Sequence, residues 1–282
     1  MKYYTCQLIQ DIHKVIVLKM TEVKHFLYEQ PSTMFEATVI KRPSKECKSP
    51  YVADIKLYAS EDEEYLAHTP SLGCCGLTHN GSNVYVIEKE NQKMCQYSVE
   101  LSIVKPGILV GCNPKMSENL VEYTLSGNLF PNLRDINSYK REKKILNSRF
   151  DFWGYDENNV EFILEVKTCP LVKYEAQYQS NVSYFPDGYR KSKNVVVSPR
   201  ALKHVQELEK MKIEKQDKIR CILCFVVQRN DSKFFRISEN DQIYKEAVKK
   251  AFDNGVEITI LCFEWDAKGR VYYVERNLPI IW

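Results

Sequence analysis

The chain carries its densest reactive chemistry between Ser148 and Lys167. Ser148-Arg149-Phe150-Asp151-Phe152 is one short apolar run with a carboxylate in it, and Phe162-Ile163-Leu164-Glu165-Val166-Lys167 is a second. In a strand, residues two apart share a face. Glu165 and Lys167 therefore point the same way while Val166 packs inward. The polar stretch Asp156-Glu157-Asn158-Asn159 is suited to reversing the chain, and a hairpin closed there brings Asp151 beside Glu165. Two acidic oxygen ligands and one ammonium in a small volume can hold a hard divalent cation and polarise a phosphate. The pattern is Asp-x13-Glu-x-Lys. A cross-strand ion pair on an exposed face is the competing explanation. Against it, Phe162-Ile163-Leu164 gives the second strand an interior character, and Asp151 sits between two phenylalanines, where an unpaired charge is costly. Phe185-Pro186-Asp187-Gly188 supplies another acid in a turn close to basic residues.

The surrounding composition is that of an ordinary globular protein, with 44% hydrophobic and 27% charged residues in 282. That length suits one large or two modest domains. No apolar run approaches the roughly 18 residues of a membrane helix, and Met1–Met20 lacks the uninterrupted apolar core of a secretory signal. The expected setting is a cytosolic or nuclear compartment, without secretion or membrane association. The ten cysteines form no framework. Cys74 and Cys75 are adjacent, and Cys221 and Cys224 fall in an apolar run where i and i+3 face opposite sides, so they cannot clamp one zinc. Reduced, mostly buried thiols are expected. The net charge of +3 is uninformative, but its distribution is not. Ten Lys or Arg against five acids lie between Pro186 and Arg220, and Lys140, Arg141, Lys143, Lys144 and Arg149 crowd before the carboxylate pair. Such flanks draw in polyanions; for Lys210–Lys218 a solvated helix face is the favoured explanation.

The elements that must position these groups change character near residue 106. Val15–Lys19, Phe35–Lys41, Tyr51–Tyr58, Asn83–Ile87 and Tyr97–Val104 read as short strands, and their spacing fits a compact barrel of about five strands, OB-like. After Pro106-Gly107 the pattern is mixed α/β. A helix is expected over Ser117–Ser126, capped by Ser117 and ended by Gly127, and another from Arg200 to about Met211 behind Ser198-Pro199. Ile219–Gln228 reads as a strand buried on both faces. Asn240–Asn254 reads as a helix with Ile243, Ala247, Val248 and Ala251 inward and Gly255 at its C-cap. Val256–Glu264 and Arg270–Glu275 complete the sheet, the latter at its edge.

Residue types and spacing also resemble a known family, that of sugar fermentation stimulation protein A (SfsA). The most specific blocks are Asn147-Ser148-Arg149-Phe150-Asp151-Phe152 and Glu165-Val166-Lys167-Thr168-Cys169-Pro170-Leu171-Val172. Phe185-Pro186-Asp187, Arg200-Ala201-Leu202-Lys203-His204, Phe225-Val226-Val227-Gln228, Gly255-Val256-Glu257 and Asn277-Leu278-Pro279-Ile280 continue it in order. It runs from about Phe26 to Trp282. The chain departs from the pattern at Pro70-Ser71-Leu72-Gly73, which lacks the family's asparagine, and at about seven extra residues over Arg190–Val197. The resemblance implies an OB-like, nucleic-acid-binding domain over residues 1–106 and a PD-(D/E)XK nuclease-like α/β domain over 107–282. It implies Asp151 and Glu165 as ligands of Mg²⁺ or Mn²⁺, Lys167 as the catalytic lysine, and Glu122 or Glu142 as the acid completing the site. Arg149, Arg200, Lys203 and His204 fall at positions suited to phosphate contact or support. The expected activity is metal-dependent hydrolysis of DNA, single- or double-stranded, with RNA as a further substrate class. The alternative is a DNA-binding protein that keeps the nuclease fold without turnover. A transcription factor would need a recognition helix, and Arg200–Met211, the basic candidate, has no helix-turn-helix partner.

Overall fold

The computed structural model describes residues 22–70, 76–91, 94–186 and 196–282. The strand expected at Val15–Lys19, the Ser71-Leu72-Gly73 loop, Cys74-Cys75, Asp187-Gly188 and most of the Arg190–Val197 segment lie outside the described residues.

Strands β1 (Lys24–Glu29), β2 (Met34–Lys41), β3 (Val52–Leu57), β4 (Ser60–His68), β5 (Asn83–Glu88), β6 (Tyr97–Lys105) and β7 (Ile108–Gly111) precede the first described helix, α1 (Pro114–Ser126). Five of them close into a ring in the order β4-β3-β2-β5-β6, with Ala67 and His68 of β4 pairing in parallel with Tyr97 and Ser98 of β6; β7 extends the sheet from β6. Alternation explains the ring, since Ala37 and Val39 face in while Glu36 and Thr38 face out. The interior holds small and β-branched side chains, among them Ala53, Ile55, Val84, Val86 and Val99. β4 escapes sequence detection because its first half, Ser60-Glu61-Asp62-Glu63-Glu64, reads as solvent.

The rest of the chain forms β8 (Ser138–Ile145), β9 (Ser148–Tyr155), β10 (Glu161–Thr168), β11 (Leu171–Glu175), β12 (Ser180–Phe185), α2 (Pro199–Lys215), β13 (Ile219–Val227), β14 (Ser232–Ile237), α3 (Gln242–Asp253), β15 (Glu257–Trp265), β16 (Arg270–Val274) and β17 (Ile280–Ile281). A seven-stranded mixed sheet runs β1-β16-β15-β13-β10-β9-β8, parallel at its centre over β10, β13 and β15. A second sheet, β11-β12-β14-β17, lies beside it. The central strand β13 is buried on both faces. Cys221, Leu223, Phe225 and Val227 pack with α2 and α3, and Ile222, Cys224 and Val226 pack with α1. Cys221 and Cys224 thus lie in opposite cores, and six of the seven described cysteines are buried.

Three expectations are corrected. β16 is not an edge, because β1 pairs with it across Phe26 and Tyr272; the edges are β1 and β8, and the lysines of β8 guard that side against further pairing. Helix α1 starts earlier than Ser117. Asn113 caps it, accepting the Lys115 N–H at 3.1 Å, and Pro114 takes the first turn. Ser117 is instead buried, its hydroxyl bonded to Thr168 Oγ1 and Gln228 Nε2 at 2.8 Å each, which ties α1 to β10 and the end of β13. In α3, Asp241 is the cap, so Tyr244 takes the core position and Ile243 is exposed. No described helix is long and apolar enough to cross a membrane.

Gly154 of β9 lies against the neighbouring strands so closely that a Cβ there would meet the Ser138 carbonyl at 2.1 Å and the Phe162 ring at 2.8 Å. Gly154→Ala is expected to destabilise the fold by roughly 1–3 kcal/mol through overpacking. A urea melt checks this, and an unchanged midpoint would contradict the packing described for this hairpin.

Candidate functional site

The β9–β10 hairpin closes at Asp156–Val160, where the Asp156 carboxylate accepts the Asn158 and Val160 N–H groups and Asn159 takes a positive φ of 59°. The ladder is regular from Glu161↔Tyr155 to Leu164↔Phe152 and then stops. Phe150 packs in the core on the α2 side and Phe152 in the core on the α1 side, although they are two residues apart. Strand alternation therefore breaks at Asp151. The β8 partner breaks with it, since pairing skips from Arg141↔Phe152 to Lys143↔Phe150 and the intervening Glu142 has φ +54°. The Asp151 side chain fills the gap, its Oδ2 accepting the Val166 N–H at 2.7 Å.

Ile163 and Glu165 of β10 face α2, while Leu164 and Val166 pack on the α1 side. Glu165 is 3% exposed. Its Oε1 is ion-paired with Lys167 Nζ and hydrogen-bonded to Nδ1 of His204, a buried residue of α2 that packs against Phe150 with ring centroids 5.5 Å apart. Oε2 of Glu165 is buried with no protein partner. Lys167 also donates to the Val166 carbonyl at 3.3 Å.

The two carboxyls differ in charge. Burial, and then the neighbouring Glu165, push Asp151 up to about 7, against the opposing pull of Lys167 and the Val166 N–H. Burial also works to raise Glu165, but Lys167 and His204 overcome it and hold that group below its ordinary value. Below about pH 7 Asp151 keeps its proton while Glu165 is the ionised member.

A cleft of about 220 Å³ opens over these groups, lined by Glu118, Asp151, Glu165, Lys167, Thr168 and Arg200 among others. The structure thus brings Asp151, Glu165 and Lys167 together, with His204 bonded behind Glu165. It places Glu122 outside the cleft lining, with Arg141 at 2.6 Å and the Tyr139 hydroxyl at 3.4 Å. Glu142 stands on the edge strand near Arg149 at 3.4 Å and Lys115 at 3.6 Å. The α1 glutamate that lines the cleft is Glu118, one turn before Glu122, where it pairs with Lys115 and Arg141. Glu118 and Glu122 both fall in the helix expected over Ser117–Ser126; the family resemblance singles out Glu122, and spacing alone does not tell which of the two, one turn apart, reaches the cleft. Arg149, Arg200, Lys203 and His204 line an adjoining groove.

Among the described residues no three His, Cys, Asp or Glu side chains form a ready metal-ligand cluster. Asp151, Glu165 and the Val166 carbonyl still make an all-oxygen donor set of the kind a hard cation uses when water and substrate supply the rest. The unpartnered Glu165 Oε2 and the raised Asp151 carboxyl are the two features a cation would relieve.

The comparisons with known proteins agree with this architecture. The family model described as the sugar fermentation stimulation protein RE domain matches residues 115–269. A sugar fermentation stimulation protein homolog of Alteromonas mediterranea is 30% identical over 260 residues, covering 88% of this chain and 98% of its own length. The Shewanella pealeana homolog is 30% identical over 255 residues, covering 88% and 98%. The chain belongs to the sugar fermentation stimulation protein (SfsA) family. The structure of Pyrococcus furiosus SfsA in complex with Ca²⁺ shares the fold, with a TM-score of 0.75 and 19% identity over 92% of this chain and all of that one.

The Asp151 shift gives a pH signature. Between the ordinary aspartate range and about 7, the folded chain keeps a proton that the unfolded chain has released. This group's contribution to stability is therefore full at acid pH and is lost as pH rises through about 7. In EDTA, Asp151→Asn should melt at a higher temperature than the parent, by a margin that widens from about pH 5 to about pH 8. Thermal melts across that range check it, and a constant or shrinking margin would contradict the assigned shift.

Proposed function

We propose that this protein is a nucleic-acid-binding, metal-dependent phosphodiesterase acting on DNA. The observation that carries the reading is the convergence of Asp151, Glu165 and Lys167 in one cleft, with the second Glu165 oxygen buried and unpartnered. In this reading the seven-stranded sheet with its helices is a PD-(D/E)XK-like domain corresponding to residues 107–282. The closed five-strand ring is an OB-like module within residues 1–106, with β1 reaching across to the larger sheet. The Ca²⁺ complex of P. furiosus SfsA supports hard-cation use by a relative of the same fold; Mg²⁺ or Mn²⁺ is the working ion proposed here.

Asp151 and Glu165, with the Val166 carbonyl, would hold the ion, and Glu118 of α1 is the acid we assign to complete the set through its place in the cleft. Bound there, such an ion supplies a water of lowered pKa and offsets charge on the scissile phosphate. His204 fixes Glu165 through Oε1 and leaves Oε2 for other partners. Lys167, held between Glu165 and the Val166 carbonyl, is placed to stabilise charge that develops on the phosphate oxygens. Asp151 must lose its proton to become a ligand, so ion binding releases a proton and strengthens as pH rises through about 7. The second reading, DNA binding without turnover, draws on the pairing of Glu118 with Lys115 and Arg141, which commits that acid to other partners.

Incubation with labelled DNA and RNA, single- and double-stranded, in Mg²⁺, Mn²⁺ or EDTA separates the two. Lys167→Ala is expected to slow cleavage roughly 10²–10³-fold, and Asp151→Asn and EDTA to abolish it. Glu118→Gln should weaken the metal dependence roughly tenfold or more, while Glu122→Gln leaves it unchanged. Cleavage that survives both Asp151→Asn and Lys167→Ala would remove the assigned site; binding with no cleavage in any metal would favour the second reading.

A further inference from the structure

The groove beside the cleft has a lining of one charge sign. It measures about 570 Å³ and is bounded by Asn147, Ser148, Arg149, Arg200, Lys203 and His204, together with Pro199. No carboxylate lines it, whereas Glu118, Asp151 and Glu165 all line the cleft. Arg200 lines both cavities, and among the described residues no acid pairs with it. Lys203 Nζ donates to the Asn147 carbonyl at 2.6 Å, which holds the ammonium at the wall of the groove without neutralising it. Arg149 is balanced in part by Glu142 at 3.4 Å.

Basic residues at the start of a helix are more often a solvated face than a site. Two features set this one apart. Ser148 is only 5% exposed, lines the groove, and its hydroxyl has no protein partner; a buried hydroxyl without a partner calls for a ligand or a bound water. His204 also lines the groove and bonds Glu165 through Nδ1, so the groove and the cleft share a wall as well as Arg200.

We infer that this groove seats a second phosphate of the nucleic-acid strand, next to the one placed in the cleft. The inference deepens the reading proposed above and rests on it for the identity of the polyanion. Arg149, Lys203 and the first turn of α2 supply positive potential, the Ser148 hydroxyl supplies a donor, and Arg200 bridges the two phosphates. The shared chemistry is a phosphate oxygen cluster. It comes either from an internal diester or from a terminal monoester, whose extra charge suits three cations.

The test uses the full chain with Ca²⁺ in place of Mg²⁺ and a short fluorescent single strand bearing a 5′-phosphate, a 3′-phosphate or neither. Anisotropy is read over a salt series. Arg149→Gln with Lys203→Gln is expected to lower affinity about tenfold and to reduce the salt slope by about 1.4, two contacts at roughly 0.7 each. Ser148→Ala, which keeps every charge, should weaken binding severalfold with the slope unchanged. Dependence on one terminal phosphate that vanishes in the double variant assigns the seat to a monoester, and equal loss for all three strands assigns it to a diester. Affinity and slope equal to the parent, or an equal loss from the remote exposed Lys268→Gln, would overturn the inference. Thermal melts establish that each variant is folded. If the double variant loses affinity while the parent never cleaves in Mg²⁺ or Mn²⁺, the phosphate seat stands and the hydrolytic reading falls. If cleavage occurs and the double variant binds like the parent, the reverse holds.

Discussion

The site depends on one interrupted strand pair. A continuous antiparallel ladder would bury the β9 and β10 amides against each other and leave Asp151 and Glu165 as ordinary side chains on a pleated surface. The ladder instead ends at Phe152 and Leu164, because Phe150 and Phe152 are claimed by cores on opposite faces of the sheet. The break strands the Val166 N–H, and a buried amide without a partner costs about 1–3 kcal/mol. Asp151 accepts that N–H. The same bond draws a second carboxyl toward Glu165 in a poorly solvated place, and this is why Asp151 retains its proton so far above the ordinary range. In the proposed reading, a divalent cation and a protonated aspartate would be two solutions to one electrostatic problem.

The flanking helices hold the problem in place. On one side, the Ser117 hydroxyl bonds both Thr168 and Gln228, which sets α1 against β10 and the end of β13 and carries Glu118 to the cleft. On the other, His204 of α2 is clamped between Phe150 and Glu165. Glu165 therefore meets a cationic or hydrogen-bonding partner on one oxygen only, and its charge persists although it is buried. The basic groove lies just beyond His204, so the carboxylate-lined cleft and the cationic groove are two sides of one imidazole.

Much of this was legible in the residues. The hairpin could be read because its turn is polar and its two apolar runs are short, and both features survive in the structure. The burial of β13 on two faces followed from its unbroken apolar run, and with it the separation of Cys221 from Cys224. Strands β4 and β8 were invisible for the opposite reason. Glu63 and Glu64 of β4 are exposed and β8 is a sheet edge, and strand formation there is dictated by partners rather than by composition. The pairing of β1 with β16 joins residues some 250 apart in sequence, a contact that local patterning cannot signal. Glu118 and Glu122 lie one turn apart on α1, and it takes the packing of that helix against β10 to show that Glu118 is the one lining the cleft. The groove needed the fold, since Ser148 and Lys203 share it only once β9 and α2 are packed together.

The central claim is that Asp151 and Glu165 form a hard-cation site, and its most direct test is a crystal of this protein grown above neutral pH and soaked in Mn²⁺. The account predicts an anomalous difference peak in the cleft beside Asp151 and Glu165. A Mn²⁺ peak elsewhere, or an Asp151 carboxylate still bound to the Val166 N–H with no ion beside it at saturating metal, would contradict it.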